Sequence, residues 1–442
     1  MADEDDDSGA GRGAQLGLAL GIALTLPGSA VGAYAYLSGG VPEWPEPLLA
    51  LVFGSGVLGA AMLLSWATEV AQLDIAAGLA LAILALVAVL PEYAVDAVFA
   101  IDAGSAVAQY GSQCQPPDAG GTSPCSLALA NMTGANRLLV GIGWPLVVLV
   151  AVVARRRRGI ERDKPGIGLP PSGATEVGFL GLASIYGLSL PLKGSVTLID
   201  AVILVAIFVV YLVRVARGPS EDPDLLGPAA LLGALPAKRR RAAVAALFVW
   251  SAIAVLLVAE HFADSLGATG RTVGVSEFFL VQWVAPLASE SPELLVASLY
   301  AWRLATTDSL GTLVASKVNQ WTLLVGTLPV LFALSLGGFE GLPIDPQQRR
   351  ELLLTAAQAL FAVTLIIDLR LQPRNALALF VLFAAQFFVE AVLPSGESTG
   401  IIVLSGVYLA GAVVVIWRRR AAVPKIARDA FRTPQRELAE QE

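Results

Sequence analysis

Long apolar runs, one after another, leave this chain few choices of fold. About twelve of them approach or exceed the ~20 residues that cross a hydrocarbon core: 15–37, 49–66, 75–102, 126–154, 176–193, 195–213, 242–262, 276–302, 309–336, 352–370, 375–394 and 400–417. Of the 442 residues 56% are hydrophobic and only 15% charged, with a mean hydropathy of +0.70. In lipid each backbone N–H and C=O needs a partner within the protein, so only helices and closed barrels span. Barrel alternation is absent from these runs. The expected class is an all-α polytopic membrane protein, with the lipid bilayer as its surroundings.

The formal charge of −7 is local rather than a field of the whole molecule. It divides into an acidic start, basic loops and a mixed tail, and nothing in it points to nucleic acid. Glu4-Asp5-Asp6-Asp7 precedes the first run, where a secretory signal would carry positive charge, so 15–37 is expected to be a retained helix. Counting spans places Arg155–Arg158, Arg239–Arg241 and Arg418–Arg420 on one side of the membrane. The loop 110–126, which lacks Lys and Arg, and the loop 394–399 fall on the other. Arg271 and Arg349-Arg350 run against this pattern. Both termini are then cytoplasmic, and a prokaryotic plasma membrane is the expected location. Cys114 and Cys125 share the loop without Lys or Arg and form a disulfide candidate facing an oxidising compartment. With no histidine nearby they are not a zinc pattern.

Against this background the carboxylates inside spans stand out. In Ala285-Pro286-Leu287-Ala288-Ser289-Glu290-Ser291-Pro292-Glu293 two acids flank a proline within an apolar run. A weaker copy stands much earlier, in Val89-Leu90-Pro91-Glu92-Tyr93-Ala94-Val95-Asp96. A carboxylate at mid-membrane costs roughly 2.5–3.5 kcal/mol on insertion scales, so its repetition after a proline calls for a function. The span with Glu92 runs from inside to outside and the span with Glu293 runs back. Opposite topology is the mark of an inverted repeat, with a binding site near the bilayer midplane between the halves. The following spans also match: Ala130-Asn131-Met132-Thr133-Gly134-Ala135-Asn136-Arg137-Leu138-Leu139-Val140-Gly141 and Ala315-Ser316-Lys317-Val318-Asn319-Gln320-Trp321-Thr322-Leu323-Leu324-Val325-Gly326. Each sets amides and one cation ahead of Leu-Leu-Val-Gly.

Together these residues resemble the α-repeats of the sodium/calcium exchanger (cation/calcium antiporter) superfamily, over roughly 75–154 and 276–336. The family's Gly-Thr-Ser-x-Pro-Glu motif puts its glutamate on Glu92 and Glu293. Its small polar positions fall on Ala288, Ser289 and Glu290 in the second repeat. In the first they fall on Val87, Ala88 and Val89, where nothing polar remains. Ala315-Ser316-Lys317 resembles the family's Gly-Ser-Asn helix, with Gln320 at a further polar position. In the first repeat either Asn131 or Asn136 could take a ligand role, and Gly134-Ala135-Asn136 is the closer string. The resemblance implies two inverted halves of five helices each, with two extra helices here. It divides the chain into a disordered acidic N-terminus (1–14), an extra first helix and loop (15–48), a first repeat (49–213), a cytoplasmic linker (214–241), a second repeat (242–394), an extra last helix (395–417) and a cytoplasmic tail (418–442). It implies secondary-active antiport by alternating access, with the ion between the two Pro-Glu helices.

Hard cations take oxygen ligands, about six to eight for Ca²⁺. Glu92 and Glu293 are the leading donors. Asp96 lies one turn beyond Glu92, and Glu290 shares a face with Glu293. Ser291, Asn136, Asn319 and Gln320 offer neutral oxygens. Lys317 and Arg137 are intramembrane cations expected to modulate the site. The transported ions are inorganic cations, Ca²⁺ against Na⁺ or H⁺, with no cofactor and no enzymatic reaction. Na⁺/H⁺ antiport is the alternative, raised by Lys317 and the degenerate first motif. An intramembrane enzyme would need a motif such as Glu-Glu-x-x-x-Arg, His-Glu-x-x-His or Gly-x-Gly-Asp, none of which is present. A non-transporting scaffold would make the glutamates dispensable. Plainer roles also stand: Asp96 and Glu290 as helix–helix hydrogen-bonding groups, Lys317 as an ion-pair partner, and Asp368, Gln386 and Glu390 as packing or interface residues. Gly54-Ser55-Gly56-Val57-Leu58-Gly59 mimics a dinucleotide fingerprint, but inside an apolar span it is expected to pack helices. His261, the sole histidine, is expected at an interface beside Glu260.

Overall fold

The computed structural model describes residues 2–74, 90–116, 122–160, 166–218, 225–392 and 397–441. The stretch 75–89, which opens the span expected at 75–102 and includes Val87, Ala88 and Val89, lies outside them. In chain order the helices are α1 (Ala2–Ser38), α2 (Glu46–Ala71), α3 (Leu90–Tyr110), α4 (Pro124–Leu138), α5 (Trp144–Arg157), α6 (Ala174–Gly187), α7 (Leu198–Val215), α8 (Pro228–Gly233), α9 (Ala237–Val273) and α10 (Glu277–Arg303). They continue as α11 (Thr306–Asn319), α12 (Val325–Leu336), α13 (Pro346–Leu365), α14 (Pro373–Val392), α15 (Glu397–Arg418), α16 (Ala422–Phe431) and α17 (Gln435–Ala439). Among the described residues eight helical segments are long and apolar enough to cross a membrane, from Arg12–Ser38 to Thr399–Arg418. The other four expected spans correspond to α3, α10, α13 and α14. The acidic start, expected to stand apart as 1–14, is continuous with α1.

The chain folds as two compact units, 1–98 with 219–292 and 99–218 with 293–442. In the first, α1, α2 and α9 pack together, with short α8 against α1 and α2. Their contact depends on small residues. A Cβ at Gly59 would lie 2.8 Å from the Gly21 carbonyl oxygen, and one at Gly32 only 2.1 Å from that of Leu257. The glycine string in α2 is therefore a helix-packing surface, as its apolar setting suggested. Met62, Leu63, Trp66 and Val70 form a core with Leu232 and Val244. Below it Arg240 grips Asp74 through two hydrogen bonds of 2.7 and 2.8 Å, and Arg241 adds a third. Those guanidiniums, Arg240 first, hold the Asp74 carboxyl well below the usual carboxylate range. The arginine run at 239–241 thus fastens α9 to the end of α2. His261 sits against Tyr36 and Phe53, and Tyr36 Oη donates to Glu260 at 2.9 Å.

The second unit carries an internal repeat. α4, a π-helical turn at Leu139–Gly143, α5, a two-residue strand β1 (Ile167–Gly168), α6, a strand β2 (Ser195–Val196) and α7 follow in order. The same order recurs as α11, a π-helical turn at Gln320–Leu324, α12, β3 (Leu342–Pro343), α13, β4 (Arg370–Leu371) and α14. The halves interlock reciprocally. β1 pairs antiparallel with β4 and β2 with β3, with Ile167 opposite Leu371 and Val196 opposite Leu342. α6 packs on α11 and α7 on α12, while α13 packs on α4 and α14 on α5. Local chemistry fixes the ends. Thr197 and Asp200 form a reciprocal capping box on α7, and Asp345 caps α13 by accepting from the Gln348 N–H at 2.8 Å. Each such cap stabilises by about 1 kcal/mol.

Cys114 and Cys125 are joined by a disulfide that closes the loop before α4. Both sulfurs are buried, so maleimide should label no thiol in the protein unfolded without reductant, and two after reduction. Labelling before reduction, read by mass spectrometry, would refute the bridge.

Candidate functional site

The proline–glutamate motifs ride on α3 and α10. Glu92 and Asp96 lie one turn apart near the start of α3, and both are buried. Pro292 sits inside α10, so the carbonyl of Ala288 lacks the N–H that a regular helix would offer it. Glu290 is buried. Glu293 is half-buried beside the Ser316 hydroxyl, and its Oε2 is shielded from solvent without a hydrogen bond. Ser291 donates its hydroxyl to the Leu287 carbonyl of its own helix, which leaves only lone pairs for a ligand. The two compact units divide between Val98 and Phe99 and between Pro292 and Glu293, inside these same two helices.

Asn136 and Lys317 occupy matching places, each three residues ahead of a π-helical turn. They meet directly. Lys317 Nζ donates to the Asn136 backbone oxygen at 2.8 Å and to its Oδ1 at 2.5 Å, and lies 5.2 Å from the centre of the Trp321 ring. Asn136 Nδ2 in turn donates to the Met132 carbonyl at 2.9 Å. Both side chains are buried. The amide oxygen that the sequence offered to a travelling cation is thus already engaged by an ammonium. Asn131, Asn319 and Gln320 are also buried, and Gln320 opens the second π turn. Such turns widen the backbone spacing and recur at functional sites.

The geometry selects between two registers present in the sequence. Aligning the two Leu-Leu-Val-Gly strings sets Asn136 one turn away from Lys317. The π turns instead align Gly134-Ala135-Asn136 with Ala315-Ser316-Lys317. This is the register in which both strings resemble the family's Gly-Ser-Asn positions, and Leu139 is then equivalent to Gln320.

Arg137 is directed to α13 and α14. Its Nη2 lies 2.5 Å from Glu351 Oε2, its Nη1 donates to Gln386 Oε1 at 3.1 Å, and Gln358 donates to its carbonyl at 3.4 Å. Arg137, Glu351 and Gln386 are all buried. This buried, hydrogen-bonded ion pair is a tie between the halves of the repeat. Gln386 belongs to that tie, in keeping with packing. Asp368 binds Arg419 at 2.6 Å near the surface. The side chain of Glu390 lies outside the described residues.

Ser316, Trp321, Glu351 and Glu69 are further inward side chains to which the sequence assigns no ligand role. Glu351 stands in Gln347-Gln348-Arg349-Arg350-Glu351, which reads as a polar loop, yet α13 begins at Pro346 and carries it inward. Glu69 was placed beyond a span ending at residue 66, but α2 continues to Ala71 and leaves Glu69 Oε2 shielded without a hydrogen bond. Among the described residues no group of three or more His, Cys, Asp or Glu side chains converges as a ready-made metal site.

Carboxylates set directly after prolines on two helices, Glu92 buried and Glu293 half-buried, each helix followed by a π-interrupted helix with buried polar groups, fit an all-α membrane transporter of the cation-exchanger type. The chain belongs to the sodium/calcium exchanger protein family, which matches residues 47–216 and 243–391. Among solved structures it is similar to the crystal structure of H⁺/Ca²⁺ exchanger CAX, with 37% identity, a TM-score of 0.81, and coverage of 97% of this chain and 99% of that one. It is also similar to native YfkE, at 13% identity and a TM-score of 0.57 over 88% of this chain and 99% of that one, a likeness of fold alone. No curated protein sequence matches it significantly.

Proposed function

We propose that this protein exchanges Ca²⁺ for protons by alternating access, with Glu92 and Glu293 as the groups that accept Ca²⁺ and H⁺ in turn. The observation that carries the reading is a carboxylate placed directly after a proline on each of two helices of a repeated fold, Glu92 buried and Glu293 half-buried with its Oε2 shielded from solvent. A carboxylate removed from water binds a divalent ion or a proton strongly and has few other stable states. Either occupant neutralises it, and that competition is the coupling. The likeness to an H⁺/Ca²⁺ exchanger over nearly the whole chain favours protons as the counter-ion. Asp96, Glu290, Ser291, Asn319 and Gln320 are further oxygen donors in this proposal.

Lys317 favours a second reading, Na⁺/H⁺ exchange. Its ammonium is a fixed monovalent cation beside Asn136, and the charge it contributes lowers the need for a divalent one. Everted vesicles carrying the protein separate the two readings. An imposed pH gradient, acid inside, should drive ⁴⁵Ca²⁺ uptake, and added Ca²⁺ should collapse the gradient. If Na⁺ dissipates the gradient while ⁴⁵Ca²⁺ stays outside, calcium exchange is wrong and sodium exchange stands.

A further inference from the structure

The second compact unit contains a cavity of about 830 Å³ far along the chain from the acidic helices, between the end of α7 and the C-terminal tail. Its walls are of two kinds. Val209, Val210 and Val213 continue the outward apolar face of α7, where Ile199 and Val202 are also exposed, as expected of a face turned to lipid chains. Phe179 and Phe431, with ring centres 5.1 Å apart, close the apolar side. The other side is cationic: Arg214, Arg217, Arg432 and Arg436 line the cavity, and among the described residues no Asp or Glu does.

The cavity is built rather than a gap between loose ends. Arg214 Nη2 donates to the Asp429 carbonyl at 2.8 Å and to that of Thr433, which pins the turn after α16 to the last turn of α7. α16 packs on α6 so closely that a Cβ at Gly178 would lie 2.2 Å from the Ala430 Cβ. Ile426, Ala430, Gln435 and Leu438 are buried by this docking. Arg217, Arg432 and Arg436 remain exposed, and among the described residues none has an acidic partner. The tail is thus held so that its arginines face those of α7.

We propose that this cavity binds an anionic phospholipid of the leaflet on the arginine-rich side of the membrane. The phosphate would lie among the four guanidiniums, whose forked donors suit phosphate oxygens, and an acyl chain would run along the valines of α7. Basic pockets at the membrane surface recognise lipid headgroups in this manner, and each arginine contributes on the order of fivefold in affinity. A soluble anion would leave the apolar wall unused, so the two-sided lining selects a lipid.

The full chain, purified in detergent, tests this by thermal unfolding and by native mass spectrometry. Phosphatidylglycerol should raise Tm and remain bound in the gas phase, whereas phosphatidylcholine and inorganic phosphate at equal concentration should do neither. In the variant Arg217→Gln/Arg432→Gln/Arg436→Gln, which breaks no internal contact, affinity for phosphatidylglycerol should fall roughly 100-fold. Unchanged phosphatidylglycerol binding in the triple variant would overturn the proposal. So would equal stabilisation by inorganic phosphate, which would make this a site for free anions, or by phosphatidylcholine, which would make it indifferent to charge.

Discussion

Replacing either motif glutamate by glutamine is expected to reduce ion exchange by ~100-fold or more while leaving the protein folded. Glutamine keeps the size and one carbonyl oxygen but can neither take a proton nor offer a full negative charge. Interactions with a charged partner run to about 3 kcal/mol, and that alone is a factor of ~100 in affinity. Stability should be little changed, because the neutral amide of glutamine is cheaper than a carboxylate to hold in an apolar span. Asp96→Asn and Glu290→Gln should give smaller losses. The measurement is proton-driven ⁴⁵Ca²⁺ flux in proteoliposomes containing equal amounts of monodisperse protein. If Glu92→Gln and Glu293→Gln both transport at wild-type rates, the motif glutamates are not the ion carriers and the proposed function falls.

The sequence carried the fold class and the repeat plainly, and the reason is physical. Bilayer thickness dictates span length, and a proline–glutamate pair in an apolar run is too costly to recur by drift. The site was less legible where its geometry depends on backbone irregularity. A π turn leaves no mark in composition, so neither interruption could be read, and the sequence offered two registers, one matching the Leu-Leu-Val-Gly strings and one matching Gly134-Ala135-Asn136 to Ala315-Ser316-Lys317. Lys317 could be recognised as an intramembrane cation, but only the fold shows that its ammonium bonds Asn136. Glu351 was hidden for another reason. Gln347-Gln348-Arg349-Arg350 before it resembles a solvated helix start, and only the packing of α13 on α4 shows that one acid of that turn faces inward. The reciprocal strand pairs β1–β4 and β2–β3 are two residues each and leave no period to read.

The pairing of Arg137 with Glu351 predicts the largest effect on stability. Arg137→Leu removes one member and leaves a buried carboxylate uncompensated, a change expected to cost about 3–5 kcal/mol. Glu351→Leu should be similarly harmful, because it takes away the carboxylate that faces the buried guanidinium. The double variant Arg137→Leu/Glu351→Leu is expected to recover most of the loss, since a buried ion pair and an apolar pair of similar volume are often near equal in stability. Gln386→Leu alone should cost only about 1 kcal/mol. Thermal unfolding of the four proteins in detergent gives the coupling, and transport per folded molecule gives the role. A structural tie predicts a recovered double variant that still exchanges ions, since Glu92 and Glu293 are untouched. A folded double variant as inactive as Glu293→Gln would place Arg137 back among the residues that act on the ion.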